Sequence, residues 1–389
     1  MEASRFPKFN IGEVKTPSFI IDERALEKNL KILNDVKQKT GAKILLALKA
    51  YSAFSTFPLI KKYLDGVCAS SPHEAKLGCK EFGKEVVVAA PAYKEEDIQE
   101  LVEYSTCIVF NSFNQWRRYK KIALEHGIEC GIRINPEYSE APVELYNPCS
   151  AYSRLGVTIK NFEEEHLNGI KGLHFHALCE QSAGALERVL EAAERKFGKY
   201  FSKMKWVNFG GGHHITKEGY DTNLLCNLIQ SFKKRHGIDV YLEPGEAVAL
   251  NAGFLVASVV DIINNGMDIA ILDTSAETHM PDVLGMPYTP EVVGAKIASS
   301  CTEKDKKIFK YDYRLGGLTC LAGDIIGDYM FPEKLSIGSK IIFTNMAIYS
   351  MVKTTTFNGV NLPSICVQRL NGKMEIIREF GYEDFKRRL

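Results

Sequence analysis

A lysine directly follows the apolar run Ile44–Leu48. Lysine is seldom buried, so two interpretations of Lys49 are open. It begins a solvated loop, or it presents a desolvated amine that forms a Schiff base with a carbonyl compound. The run by itself favours the solvated loop. Support for the Schiff base comes from the residues that end similar runs elsewhere in the chain.

Glycines and a carboxylate end the last two of these runs. Gly210, Gly211 and Gly212 follow one run, and Glu243 and Gly245 follow the next. Glycine lets backbone N–H groups approach an anion such as phosphate, and a carboxylate at the end of an apolar run needs a cationic or protonated partner. A lysine for an aldehyde, glycines for a phosphate and a carboxylate for a pyridine nitrogen together indicate a pyridoxal 5'-phosphate site.

Two histidines end an earlier run. His174 and His176 are separated by one residue, so in a strand their side chains share a face. A metal site would need a third ligand, for which Glu243 is the candidate at a strand end. The sequence has no H-E-x-x-H motif and no C-x-x-C pair, and we therefore predict that no metal is bound.

The elements that position these residues alternate between short apolar runs and helix-like stretches. The runs are Ile44–Leu48, Gly66–Ala69, Val86–Ala90, Cys107–Phe110, Gly131–Ile134, Gly172–Phe175, Val207–Phe209 and Val240–Leu242. Ser71 with Glu74, and Ser112 with Gln115, are typical of helix starts. The alternation predicts parallel strands in a closed, TIM-like (β/α)₈ barrel, whose chemistry lies at the carboxyl ends of the strands. A doubly wound open sheet is the alternative, but its glycine-rich turn usually follows the first strand.

Strand-like segments with little helix between them follow Gly245. They are Phe254–Ile263, Ile269–Leu272, Glu291–Ala298, Lys307–Tyr313, Lys340–Phe343, Ile365–Leu370 and Lys373–Ile377. Asn371-Gly372 between the last two favours a hairpin turn. We predict an α/β protein with the barrel over residues 22–252. An antiparallel β-sandwich-like domain would comprise residues 1–21 plus 253–389.

Composition and charge narrow the class of partner. The chain has 49 Lys and Arg against 48 Asp and Glu, and no basic stripe, which argues against nucleic acid. No apolar segment reaches membrane-spanning length, and the start Met1–Arg5 does not resemble a signal peptide. The 10 cysteines form no C-x-x-C pair, which is typical of small core residues in a reduced protein. We expect a cytoplasmic protein without a membrane partner.

The motifs, in this order, resemble the alanine racemase-like (fold type III) pyridoxal phosphate enzymes, and within them the basic amino-acid decarboxylases. The resemblance extends over nearly the whole chain. It implies that Lys49 holds the cofactor, that His176 stacks on its ring, and that Glu243 contacts the pyridine nitrogen. The segment Tyr152–Gly156 resembles a Ser-Arg/Lys-Phe-Gly motif, which implies that Arg154 belongs to the cofactor network.

The resemblance continues into the β domain. Leu318-Thr319-Cys320 resembles the motif whose cysteine enters the neighbouring subunit's site, and Asn345–Tyr349 resembles the segment whose tyrosine reaches the phosphate. Thr356–Gly359 completes this pattern. The resemblance thus implies a homodimer with shared active sites, in which Cys320 protonates the α-carbon. The alternative for Cys320 is a buried, inert thiol.

Two departures from the family pattern bear on the substrate. Ornithine and diaminopimelate decarboxylases carry arginine after Glu-Pro-Gly and an acidic residue after the cysteine, whereas this chain has Glu246 and Leu321. These features, and the segment Glu277–Asp282, resemble carboxynorspermidine/carboxyspermidine decarboxylases of polyamine biosynthesis. A carboxylated triamine carries extra ammonium groups, which carboxylates can pair.

We accordingly predict Glu246 and Asp282 as amine contacts, with Asp324 and His279 as further substrate-binding residues. For Asp282 the alternative is a solvated loop acid.

The predicted reaction is decarboxylation of carboxynorspermidine or carboxyspermidine to norspermidine or spermidine. Glu243 favours decarboxylation, because a carboxylate keeps the cofactor's ring nitrogen protonated and a protonated ring is a strong electron sink. Alanine racemases of this fold instead place an arginine at this position. One alternative is a diaminopimelate, ornithine or arginine decarboxylase, against which Glu246 and Leu321 argue. Another is a non-catalytic pyridoxal phosphate-binding homologue, against which the presence of Lys49 and Cys320 argues.

Overall fold

The computed structural model describes residues 9–389 of the chain. These residues form two compact units, one over Glu27–Val248 and the other combining the chain up to Leu26 with Ala249–Leu389. Residues 1–8 of the predicted segment 1–21 lie outside the described part. In residues 9–389 we find no helix with the length and apolar character needed to cross a membrane.

The unit Glu27–Val248 contains a closed barrel of eight parallel strands. Strand β1 (Ser18–Asp22) and the first turn of helix α1 (Glu23–Thr40) precede it. The barrel strands are β2 (Lys43–Ala47), β3 (Gly66–Ala69), β4 (Glu85–Ala89), β5 (Cys107–Phe110), β6 (Glu129–Arg133), β7 (Ile170–His174), β8 (Trp206–Asn208) and β9 (Asp239–Leu242). The predicted (β/α)₈ barrel is therefore confirmed, with strand ends shifted by one or two residues.

Helices follow most of the barrel strands. They are α2 (Phe57–Ile60), α3 (Pro72–Leu77), α4 (Glu95–Tyr104), α5 (Phe113–Glu125), α6 (Ala183–Phe201), α7 (Thr222–His236) and α8 (Glu246–Ala249). Between β6 and β7 the chain forms short 3₁₀ turns instead of an α-helix. The predicted N-caps are present, since Ser71 Oγ accepts from Glu74 N (3.2 Å) and Ser112 Oγ from Gln115 N (3.3 Å).

The second unit is built on a nine-stranded sheet. Besides β1 its strands are β10 (Gly253–Asn264), β11 (Asp268–Leu272), β12 (Lys296–Ile297), β13 (Tyr311–Gly316), β14 (Ile325–Phe331), β15 (Lys340–Thr344), β16 (Ser364–Gln368) and β17 (Met374–Arg378). Short helices α9 (Ala276–His279), α10 (Asp282–Gly285) and α11 (Tyr382–Lys386) accompany them. The order is β12-β14-β13-β11-β10-β1-β16-β17, and β15 also pairs with β10.

This sheet is mixed, whereas the sequence suggested a wholly antiparallel one. β1 pairs in parallel with β16, and β11 pairs in parallel with β13. The strand β14 was not predicted, because Gly327 and Asp328 interrupt its apolar pattern. Conversely, the predicted strand Glu291–Ala298 is mostly irregular. Lys296–Ile297 pairs as β12, and Val292 forms an isolated antiparallel bridge with Phe343 of β15.

Both faces of the central strand β10 are covered by apolar side chains. Leu255, Ala257 and Val259 enter one hydrophobic cluster, whereas Phe254 and Val256 enter another. This alternation follows from the two-residue period of a strand.

Candidate active site

Lys49 lies in the turn that directly follows β2. Its neighbours Leu48 and Ala50 are fully buried, and the N–H of Leu48 donates to Cys68 O (3.0 Å). Lys49 itself is exposed, so the desolvated amine considered from the sequence is not what this chain presents. Lys49 nevertheless lies at the carboxyl end of the barrel, because it follows the last residues of β2, and its charge helps to lower the pKa of Glu243.

Glu243 follows β9 and is 5% exposed. One carboxylate oxygen accepts from Asn208 Nδ2 (2.7 Å), and the other lies 3.3 Å from His174 Nε2. Burial acts to raise the pKa of Glu243, but His174, Asn208 and Lys49 outweigh it and lower the pKa from 4.5 to about 2. Glu243 is therefore an ionised carboxylate inside the barrel.

His174 is the neutral partner of this carboxylate. Burial lowers its pKa below 6.5, against the opposing charge of Glu243. A neutral imidazole that donates from Nε2 leaves Nδ1 as a bare acceptor, and Nδ1 has no partner within residues 9–389. The pair is therefore held by an N–H···O contact to a full negative charge.

Three polar residues that the sequence analysis did not assign lie side by side here. Arg133, His174 and Asn208 are the last residues of β6, β7 and β8, and they are paired in register. Burial lowers the pKa of Arg133 from its usual value, while the negative charge of Glu243 opposes that shift. The sequence signal for these three is a polar residue in the next-to-last position of each predicted run, Gly131–Ile134, Gly172–Phe175 and Val207–Phe209. The residues predicted from the sequence, His176 and Gly210, lie two positions further along.

His176 contacts the glycine loop predicted for phosphate. Its Nδ1 accepts the N–H of Gly211 (2.9 Å), so the proton of the neutral ring is on Nε2. Burial, followed by the charges of Lys49 and Arg133, lowers its pKa well below 6.5. A neutral, half-buried imidazole is consistent with the predicted stacking on a cofactor ring.

The loop Gly210–Gly212 admits no side chain. Gly212 has a φ of +82°, and a Cβ there would clash with the carbonyl oxygen of Leu178. The N–H of Gly210 donates to Asn208 Oδ1 (2.8 Å). With the N–H of Gly211 also engaged, the N–H of Gly212 is the one of the three without a partner in the described chain.

Gly245 and Arg154 lie at other edges of the barrel mouth. A Cβ at Gly245 would lie 2.6 Å from the Cβ of Ala50, so this glycine lets the chain after β9 pack against the Lys49 turn. Arg154 is exposed in a loop that Asn111 anchors, its side-chain amide donating to Arg154 O (2.7 Å). The Arg154 charge opposes protonation of Arg133, so the two guanidinium groups are near each other.

Cys320, in the second unit, is an exposed free thiol. The preceding backbone is fixed, because the N–H of Cys320 donates to Asn358 Oδ1 (2.8 Å). The thiol is therefore accessible, and the alternative of a buried cysteine is wrong.

Tyr349 and Asp282 are connected through Lys353. Tyr349 has a φ of +53°, in the left-handed region that is unusual for a bulky residue. The Lys353 ammonium lies 5.3 Å from its ring centroid and also contacts both oxygens of Asp282, at 2.7 and 2.8 Å. Asp282 is thus half-buried and already paired, and an amine ligand would have to share it with Lys353.

Asp324 has a structural environment. It is 3% exposed and its two oxygens accept five hydrogen bonds. The donors are Ser275 Oγ (2.9 Å), the N–H groups of Ala276 (2.8 Å) and Glu277 (3.2 Å), and the N–H (3.1 Å) and hydroxyl (2.7 Å) of Thr319. These contacts tie the start of α9 to the Cys320 loop, and they leave little room for the substrate contact predicted for Asp324.

His279 is also structural, and its predicted substrate contact is corrected. It is fully buried at the end of α9, with Nδ1 2.8 Å from Thr274 Oγ1 and Nε2 3.1 Å from Asn361 O. Burial lowers its pKa to about 4. The ring is therefore neutral, and both of its nitrogens are used.

The barrel mouth fits pyridoxal phosphate on its own chemistry. The buried Glu243 is ionised and retains lone pairs for a protonated ring nitrogen, and Lys49 offers an accessible primary amine nearby. His176 is a neutral aromatic ring, and the N–H of Gly212 is available for a phosphate oxygen. These residues would hold the cofactor's ring nitrogen, aldehyde, ring face and phosphate, respectively.

Comparison with known proteins identifies the class of enzyme to which this chain belongs. A family model described as a pyridoxal-dependent decarboxylase with a C-terminal sheet domain matches residues 19–347. Together with the barrel, the β domain and the Lys49–Glu243 site, this match defines a fold type III pyridoxal phosphate-dependent decarboxylase. Within that class, the chain belongs to the family of the carboxynorspermidine/carboxyspermidine decarboxylases, as its nearly full-length likeness to one of them shows.

The named relative, from Campylobacter jejuni, is 49% identical over 97% of this chain and 99% of its own length. A carboxyaminopropylagmatine decarboxylase from Synechocystis is 42% identical over 97% of this chain and 96% of its own length. Among solved structures, carboxynorspermidine decarboxylase of Campylobacter jejuni complexed with norspermidine has a TM-score of 0.90 and 46% identity, covering 97% of this chain and 100% of that one. Diaminopimelate decarboxylase from Helicobacter pylori, at 18% identity and a TM-score of 0.82, shares the fold.

Proposed function

We propose that this enzyme removes carbon dioxide from a carboxylated triamine, carboxynorspermidine or carboxyspermidine, in polyamine biosynthesis. The observation that carries the proposal is the 49% identity, over 97% of the chain, to a relative named for both substrates. The acidic Glu246 after Glu-Pro-Gly supports it further, because this substrate class is rich in ammonium groups.

When bound, pyridoxal phosphate supplies an electron sink for the pair left by the departing carboxylate. Lys49 would hold the cofactor through its aldehyde. Glu243 would hold a proton on the ring nitrogen, which its ionised state and burial allow. His176 would support the ring face, and the Gly212 N–H would bind the phosphate. Arg133, next to His174 in register, adds positive charge beside Glu243.

The proposal includes a homodimer whose sites take Lys49 from one chain and Cys320 from the other. The exposure of the Cys320 thiol supports this role, since a proton donor must reach the α-carbon. Tyr349 of the same unit would reach the phosphate.

Complementation tests the shared site. An equal mixture of Lys49→Ala and Cys320→Ala proteins, unfolded and refolded together, should regain about a quarter of wild-type activity, because half of the dimers are mixed and each contains one intact site. If both inactive proteins stay inactive after mixing although they form dimers, the two residues belong to the same chain's site.

The activity itself is tested by following carbon dioxide release and cofactor absorbance together. Carboxynorspermidine and carboxyspermidine should release gas and shift the absorbance band, whereas ornithine and diaminopimelate should do neither. Lys49→Ala should abolish the wild-type band. Gas release from diaminopimelate or ornithine alone would refute the proposed substrate class and leave the cofactor assignment standing.

Carboxyaminopropylagmatine is a second candidate substrate, supported by the 42% identity over 97% of the chain to a decarboxylase named for it. It belongs in the same assay. The ratio of its kcat/KM to that of carboxynorspermidine decides between them, and we expect that ratio to be below one.

A further inference from the structure

Three side chains that could bind a cation meet at the carboxyl end of the barrel. Glu180 follows β7, His214 follows β8 and Glu246 follows β9. One potential ligand atom from each residue lies within 4.8 Å of the other two. Only Glu246 was assigned from the sequence.

Backbone contacts hold the three loops together. Gln181 and His213 form a parallel bridge, and the N–H of His214 donates to Gln181 O (3.2 Å). The hydroxyl of Thr216 donates to Ala247 O (2.6 Å), which connects the His214 loop to α8. Glu180 has a φ of +54°, a left-handed conformation that is costly for a residue with a side chain. The cluster is therefore fixed by its surroundings.

The buried ring of His214 indicates that this cluster binds a ligand. It is 6% exposed, and neither ring nitrogen has a hydrogen-bond partner in residues 9–389. Its Nε2 nonetheless lies 3.1 Å from Glu246 Oε1, so the ring points into the cluster. A buried polar group without a partner costs about 1–3 kcal/mol. A ligand that fixes the Glu246 carboxylate would complete the contact of Nε2 with Oε1 and so offset this cost.

The electrostatics of the cluster favour a cation. Glu180 is an exposed residue, but partial burial of its carboxyl and the neighbouring charge of Glu246 raise its pKa, against the opposing charge of Lys217. An incoming positive group would relieve this repulsion. Lys49 follows β2, so it lies at the same end of the barrel as the cluster, and the charges of Glu180, Glu246 and Lys49 all act on the Cys179 thiol.

We propose that Glu180 and Glu246 together bind a distal ammonium group of the substrate, and that His214 is a positioning residue that holds Glu246. The inference rests on the proposed function. A primary ammonium carries three N–H donors and no acceptor, which suits two carboxylates that have an oxygen of each within 4.8 Å of the other.

Norspermidine binding to the cofactor-loaded enzyme, measured by calorimetry, is the test. Glu180→Gln and Glu246→Gln should each weaken it by about tenfold to a hundredfold, because each removes one charge-assisted contact. KM for carboxynorspermidine should rise similarly, with kcat changed by less than about threefold. Glu180→Asp, which keeps the charge, should lose less. The control is Glu187→Gln, an exposed acid on α6, which should match wild type.

The role of His214 is tested in a double-mutant cycle. His214→Ala should weaken norspermidine binding in the wild type but not in the Glu246→Gln background, because it acts through Glu246. Additive effects would overturn this positioning role.

Norspermidine affinity within twofold of wild type in Glu180→Gln would overturn the subsite, whether or not carboxynorspermidine is decarboxylated. Stoichiometric zinc in the purified enzyme that is lost in Glu180→Gln would also overturn it, in favour of a metal site. If carboxynorspermidine is not a substrate but norspermidine binding still depends on Glu180, the proposed function fails and the subsite stands.

Discussion

His174 Nε2 lies 3.3 Å from Glu243 Oε2, although 69 residues separate them in the chain. The contact joins the ends of β7 and β9, with Asn208 of β8 binding the second carboxylate oxygen at 2.7 Å. Three adjacent strands thus cooperate to keep one buried carboxylate ionised.

Glu243→Gln should reduce kcat by about a hundredfold. The amide has no charge to hold a proton on a ring nitrogen, and it matches the carboxylate in shape. Steady-state kinetics with carboxynorspermidine measures the effect. Glu243→Asp, which keeps the charge but shortens the side chain, is the companion variant and should retain more activity. A kcat within threefold of wild type for Glu243→Gln would remove Glu243 from the chemistry.

Gly212→Ala should destabilise the enzyme far more than Gly219→Ala. The two glycines have nearly the same φ, +82° and +80°, but a Cβ at Gly219 meets nothing within 4 Å, whereas one at Gly212 meets the Leu178 carbonyl. Gly219→Ala therefore isolates the cost of the backbone conformation, about 1 kcal/mol. The clash should bring the cost at Gly212 to roughly 3 kcal/mol or more. Urea unfolding measures both, and equal losses would show that the loop can relax.

Asp324→Asn should lower the free energy of unfolding by roughly 2–4 kcal/mol, because five donors lose a charged acceptor in a buried site. Asp328→Asn is the control. It breaks a half-exposed ion pair with Arg314 and should cost less than about 1 kcal/mol. A large rise in KM without loss of stability in Asp324→Asn would restore the substrate role predicted from the sequence.

His279 should make the fold sensitive to mild acid. Burial lowers its folded pKa from 6.5 to about 4, so between these values the unfolded chain binds the extra proton. Its contribution to stability is complete above pH 6.5 and is lost as the pH falls towards 4, by roughly 3 kcal/mol at most. Unfolding free energies of wild type and His279→Gln across pH 4–7 should show a flatter profile in the variant. Parallel profiles would refute this assignment.

The sequence by itself determined the barrel and the family, and it predicted the outline of the cofactor site. Alternating apolar runs and helix starts are local patterns, and a barrel brings the ends of its strands together in a known way. Lys49, His176, Gly210–Gly212 and Glu243 could therefore be placed at one mouth without coordinates.

The tertiary structure decided which polar residues are already engaged. Asp282 and Asp324 look alike in sequence, yet one pairs with Lys353 and the other caps α9. The row Arg133–His174–Asn208 and the meeting of Glu180 with Glu246 likewise depend on strand register and loop contacts. The free energy of a polar side chain depends on the partners that surround it, and these partners come from segments far apart in the chain.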